Sequence, residues 1–228
     1  MPELPDSAGA VVRLVRPLEL VAAAELPAID GAPGAAQRKR PRPGERRVQI
    51  LQTLAAMLEQ PGSERITTAA LAARLEVSEA ALYRHFASKA QMFEGLIEFI
   101  ETSVFTLVNQ ITEREAGGNV QAQRIVVMLL QFGEKNPGMA RVMVGDALVF
   151  EHERLGLRMN QFFDRIEGQL RQCLRRAAGP ADAHTLVASA VASGLTALVI
   201  GRLQRFSRSG FRRSPTEHLQ ELLNRLSP

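Results

Sequence analysis

The chain has 228 residues, 46% of them hydrophobic and 23% charged, with a formal net charge of +4. That is enough apolar material for one or two small domains with a real core, and the mildly basic balance permits nucleic acid binding without proving it. The single cysteine, Cys173, excludes an intrachain disulfide and reads as a reduced, buried or half-buried thiol of a cytosolic protein. His85, His152, His184 and His218 are scattered without zinc-ligand spacing, and there is neither a Gly-rich phosphate loop after a strand nor a G-x-S-x-G turn. No enzymatic activity, metal or cofactor is expected.

Residues 1–43 read as an extension. Their apolar stretch is cut by Pro17 and Pro27 and lacks the uninterrupted core and cleavage pattern of a signal peptide. Gly, Pro and Ala then surround a basic cluster of Arg38, Lys39, Arg40 and Arg42. One reading is a flexible arm on DNA phosphates or in a minor groove; the other is a solvated linker or an upstream extension. Beyond residues 11–15 no segment alternates convincingly as a strand. The class expected is all-α.

Residues 45–60 carry Val48, Leu51, Ala55 and Leu58 on one stripe, which predicts a first helix ended by Pro61-Gly62, with Arg46 and Arg47 continuing the basic arm. Residues 66–93 predict a helix-turn-helix. Thr67 or Thr68 caps its first helix, and Leu71, Ala72 and Leu75 form the apolar face. Ser78 caps the second helix, with Glu79 in the first turn, and Leu82 and Phe86 lock it onto the first. Ser88 and Gln91 form a capping box that opens a third helix. The other face of the second helix is left to Glu79, Ala80, Ala81, Tyr83 and His85. Small side chains at 80 and 81 allow close approach to base edges, and Tyr83, His85 and Lys89 reach phosphates.

Residues 88–115 keep a 3.6-residue apolar period, with Phe99 and Phe105 off the main stripe. Further helices are expected at 119–135, 138–145, 146–178, 183–207 and 215–227, the last opened by Pro215. The run from Thr185 to Gly201 carries no charge, yet holds serines and a glycine. Ala188, Ala192, Ser189 and Ser193 recur at four-residue spacing, and it reads as a dimerisation helix rather than a membrane span.

The run TTAALAARLEVSEAALYRHFASK resembles the DNA-binding motif of the TetR family of transcription regulators. Glu76 stands where that family usually has glycine, so the turn is expected to be slightly strained. The likeness continues into the body through FGEKNPG, ALVFEHERL, NQFFDRIEGQLRQ and RFSRSGFRRSPT, which are similar to the nucleoid occlusion branch of the family. It covers most of residues 45–215. It implies a three-helix DNA-binding head at 44–92 and a helical dimerisation and partner-binding body at 93–228, after the extension 1–43. The head's DNA face comprises Thr67, Thr68, Ser78, Glu79, Ala80, Ala81, Tyr83, His85 and Lys89. The resemblance further implies a cytoplasmic, nucleoid-associated homodimer on palindromic double-stranded DNA, with higher-order assembly left open. Bound to DNA, it would antagonise polymerisation of the tubulin-like division protein FtsZ by gripping its tail. The matching groove positions include Phe99, Lys135 and Asn136; Lys135 replaces an arginine and Gln131 a glycine. The competing reading is a ligand-responsive repressor whose pocket is lined by Met and Phe residues at 128, 132, 139, 143, 159 and 162.

Overall fold

The structure, a computed structural model, describes residues 44–60, 66–178 and 182–226. The extension 1–43 and its basic cluster lie outside the described residues. Among those described, the elements are α1 (Glu45–Leu58), α2 (Thr68–Arg74), α3 (Glu79–Tyr83), α4 (Lys89–Arg114), α5 (Gly118–Lys135), α6 (Pro137–Met143), α7 (Glu153–Ala178), α8 (Asp182–Arg208) and α9 (Leu219–Leu226). The expected all-α class holds.

The head forms as its local signals dictate. Thr67, not Thr68, caps α2: its hydroxyl accepts the Ala70 N–H at 3.1 Å. Ser78 accepts from Ala81 N–H, and Ser88 from Gln91 N–H. The Gln91 side chain returns to the Ala87 N–H at 2.8 Å, one residue upstream of a standard capping box. Leu71, Ala72, Leu82 and Phe86 are buried in one core with Ile50 and Leu54 of α1; α2 packs on both α1 and α3. Glu76 takes a φ of 55°, the left-handed conformation anticipated for it in the turn.

α4 runs without interruption from head to body. Its Met92, Phe93, Leu96, Ile97, Ile100, Val104 and Val108 are all 0–1% exposed, the consequence of an apolar stripe at helical period. It packs on α1 at one end and on α5, α6 and α7 further along. The Gln121 side-chain amide donates to the carbonyls of Thr112 and Glu115, filling acceptors that the end of α4 leaves open. α5, α7 and α8 pack on one another to form the body. α6 wedges between body and head: a Cβ on Gly138 would stand 2.1 Å from the Ala55 carbonyl oxygen, so only glycine permits that approach to α1. Beside it, burial pushes the Glu59 carboxyl up from its usual range, and the Gly138 N–H bonded to it works in the opposite direction. Cys173 is buried and unpaired, and burial raises its thiol. Slow alkylation of the folded chain is the consequence.

Three sequence readings of the body are corrected. The helix expected from 146 begins at Glu153. Gly145 turns the chain with a φ of 82°, and residues 145–151 form successive turns that leave Val149 and Phe150 exposed. The helix expected from Pro215 begins at Leu219, because His218 takes a φ of 51° and cannot propagate a right-handed helix. In α8, Ala188 and Ala192 are buried against the chain's own core, at 4% and 0% exposure. The outward face of α8 is instead Leu186, Val187, Ala190, Ser193, Gly194 and Ala197. α8 is long and apolar enough to cross a bilayer by length and composition alone. Its buried side packs on α5, α6 and α7.

Candidate nucleic-acid interface and partner face

The short helix α3 stands at the surface with its polar edge outward. Ser78, Glu79, Ala80, Tyr83 and His85 are exposed, while Ala81 is half-buried. Tyr83 is 45% exposed, which leaves its hydroxyl free to reach a phosphate. Thr68 donates to the Glu79 carboxylate at 2.6 Å and so ties α2 to the first turn of α3. Thr67 spends its hydroxyl on the cap of α2. Of the sequence-nominated residues, Thr68 and Glu79 are thus brought together by a bond, and Ala80, Tyr83 and His85 remain open.

Two basic residues behave differently from the sequence reading. Arg47, expected to continue the basic arm, donates to the His85 carbonyl at 2.8 Å and lays its guanidinium over the Phe86 ring at 4.0 Å. It anchors the carboxyl end of α3 from α1, a role that no local pattern around Arg47 signals. Lys89 forms a charge-assisted hydrogen bond to Glu151 and lies 5.7 Å from the Phe93 ring centroid. A phosphate must therefore share or displace an existing carboxylate partner. Arg74 and Arg84, both exposed, lie at the last turn of α2 and the C-cap of α3. They were missed in the sequence; the signal available was their position beside the nominated face.

The Lys89–Glu151 pair is the first of a series. Arg154 pairs with Glu94 at 2.8 Å, and Arg158 with Glu101 through two bonds of 3.2 and 2.5 Å. The hydrogen bond to Glu101 raises the Arg158 guanidinium further above its ordinary range, and Glu98 and Glu94 add to the effect. These pairs fasten the head end of α4 to the start of α7 and the turn before it. Head orientation is in this way tied to the body.

At the positions expected to meet a partner, Phe99 is half-buried and packs against the core, Lys135 is exposed, and the Asn136 amide donates to the Phe132 carbonyl at 2.8 Å. α4 and α5 are joined by a turn of residues 115–117. Counting about 1.5 Å per residue from it, Phe99 and Lys135 lie about 22 and 26 Å along their helices, at similar height. Phe105, the other off-stripe aromatic, is occupied within the chain: it meets Phe162 edge-on at 5.7 Å, with the Arg165 guanidinium 3.9 Å over its ring. Met128, Phe132, Met139, Met143, Met159 and Phe162, the candidate pocket lining, are at most 3% exposed and belong to the continuous core.

Residues 50–96 match the model of the bacterial regulatory proteins of the tetR family, and residues 118–227 match an SlmA-like model described as the tetracyclin repressor-like C-terminal domain. The fold is shared with a TetR family transcriptional regulator, PfmR, of Thermus thermophilus. Its TM-score is 0.62 at 18% identity, over 79% of this chain and 95% of that one. A TetR-like regulator from Rhodococcus sp. RHA1 gives 0.64 at 18% identity, over 82% and 97%. The architecture and its head are those of a TetR-type DNA-binding regulator.

Much nearer in sequence are the nucleoid occlusion factors SlmA of Idiomarina loihiensis and of Aliivibrio fischeri (strain MJ11). The first is 50% identical over 80% of this chain and 92% of its own length, the second 51% identical over 79% and 93%. The chain belongs to the family of nucleoid occlusion factors SlmA within the TetR-type regulators.

Proposed function

We propose that this protein acts as a homodimer bound to dispersed palindromic sites on the chromosome, and that the DNA-bound dimer antagonises FtsZ polymerisation so that no division ring assembles over the nucleoid. The observation that carries this reading is that about half of the aligned positions, which cover 80% and 79% of this chain and span both head and body, agree with nucleoid occlusion factors. A shared head alone would speak only for DNA binding.

The dimer is supported by the outer face of α8. Leu186 and Val187 are 77% and 58% exposed, and Ala190, Ser193, Gly194 and Ala197 continue them at helical spacing. A Cβ placed on Gly194 would meet nothing within 4 Å. An uncharged stripe of small residues with two large apolar ones at its end suits close packing against its two-fold copy, as does Leu157 of α7 at 54% exposure. The symmetric heads would then read two half-sites. Partner binding is assigned to Phe99, Lys135 and Asn136, an apolar ring with a cation at similar height on the next helix.

A map of binding sites across the genome tests the reading. Many dispersed sites are expected; occupancy confined to a promoter beside the gene would instead favour a ligand-responsive repressor.

A further inference from the structure

The connection between α8 and α9 carries positive charge that the functions above do not use. Arg208, Arg212 and Arg213 are exposed, and no ion pair joins any of them to a carboxylate among the described residues. The carboxylates bonded to this region face hydroxyls instead. Asp146 accepts from Ser207 at 2.6 Å, and Glu134 accepts from Ser214 and, at 2.9 Å, from Thr216.

The loop is also held in an unusual shape. Gly210 and Phe211 have φ values of 63° and 64°, two left-handed residues in succession, a conformation that is strained for the phenylalanine. Several contacts hold it there. The Phe211 ring lies 5.2 Å from that of Phe206 and 5.7 Å from the Arg141 guanidinium. The Ser209 hydroxyl accepts the backbone N–H of both Arg212 and Arg213, and Arg202 fixes the following turn through the Pro215 and Glu217 carbonyls. These contacts fix the loop backbone, and the Arg212 Nε donates to the Ser209 carbonyl at 3.0 Å, so two adjacent arginines leave the surface from a defined place.

That place is beside the partner face. Glu134, which clamps Ser214 and Thr216, immediately precedes Lys135. By helix rise, Glu134 and Phe99 lie about 24 and 22 Å from the α4–α5 turn, whereas Lys89, at the DNA end of α4, lies about 38 Å away. We propose that the arginine loop 208–213 is a docking surface for an acidic polypeptide segment that runs on from the Phe99–Lys135 groove. The proposal rests on the partner-groove reading above and extends it. Guanidinium forks match carboxylates in geometry, and uncompensated charges at the rim of a groove raise the capture rate of an oppositely charged chain.

The test uses the full chain with Arg212→Glu and Arg213→Glu together, site DNA, and purified FtsZ polymers followed by sedimentation. The expected result is unchanged specific DNA affinity and salt slope, with the concentration needed to halve polymer pelleting raised about fivefold or more at low salt. The Arg212→Lys, Arg213→Lys pair should retain most of the effect. If the Glu pair lowers the melting temperature, the neutral Gln pair replaces it and should show the same loss. Weakened DNA binding with a reduced salt slope would make the loop a phosphate contact and overturn the proposal. So would unchanged action on polymers by a folded variant. A wild-type chain inert toward polymers would instead remove the partner-groove reading itself, and this proposal with it.

Discussion

The head and the body both bury one face of each helix, but they divide apolar from functional surface differently. In the head, the short α3 buries Leu82 and leaves Ala80 and Tyr83 open, with Phe86 buried and His85 exposed just beyond its end, so one face is core and the other is free. In the body, α8 is apolar nearly all round. Ala188, Ala192, Leu195 and Val199 face the chain's own core, while Leu186 and Val187 face outward. Where a helix has a polar side, its sequence tells which side works. Where both sides are apolar, only the tertiary packing distinguishes core from interface.

That difference can be broken or sharpened by substitution. The largest effect is expected within α8. Ala192→Glu would place an unpaired charge, and several extra atoms, at a position with 0% exposure, costing at least about 3 kcal/mol and melting the body. Leu186→Glu, on the outer face, should leave the melting of the monomer nearly unchanged and shift analytical ultracentrifugation from dimer to monomer. A dimer that survives Leu186→Glu would remove the assigned interface.

Arg47→Ala comes next. It deletes the bond to the His85 carbonyl and the contact with Phe86, and should cost about 1–2 kcal/mol in thermal unfolding while weakening specific DNA binding. Lys89 and Glu151 should move DNA affinity in opposite directions. Lys89→Ala lowers it and reduces the salt slope by about one unit, whereas Glu151→Gln frees the ammonium group and raises affinity by a few-fold. Parallel losses in fluorescence anisotropy titrations would mean that the pair matters for head orientation rather than for phosphate capture. The smallest change is expected from Glu76→Gly. Relief of the left-handed strain at φ 55° should stabilise the head by about 0.5–1 kcal/mol, seen as a small rise in melting temperature.

The elements that were legible in the sequence are those made by neighbours in the chain. Caps at Thr67, Ser78 and Ser88 and the long apolar period of α4 all depend on residues within one or two turns, while the strain at Glu76 shows only against the glycine usual in the TetR family. What escaped depends on distant partners. Arg47 looks like one more basic residue of an arm until α3 is folded over it, and Lys89 looks free until Glu151 arrives from 62 residues away. The apolar residues Leu148 and Phe150 continue a helical pattern ahead of the true start of α7 at Glu153. The chain turns there instead, leaving Leu148 buried and Phe150 exposed. His218 breaks a helix through its own φ, which no side-chain pattern marks.

The central claim is that one surface binds DNA and another, about 15 Å further along α4, acts on the division protein. It is tested most directly by sedimentation of FtsZ polymers with site DNA, comparing the wild-type chain with Phe99→Ala, Lys135→Glu. Phe99 is only half-buried, so the double variant should remain folded, with thermal stability reduced by about 1–2 kcal/mol. The account predicts that it binds site DNA like the wild-type chain and leaves polymers in the pellet, while the wild-type chain disperses them most strongly when DNA is present. A folded, DNA-bound double variant that disperses polymers as well as the wild-type chain would contradict it.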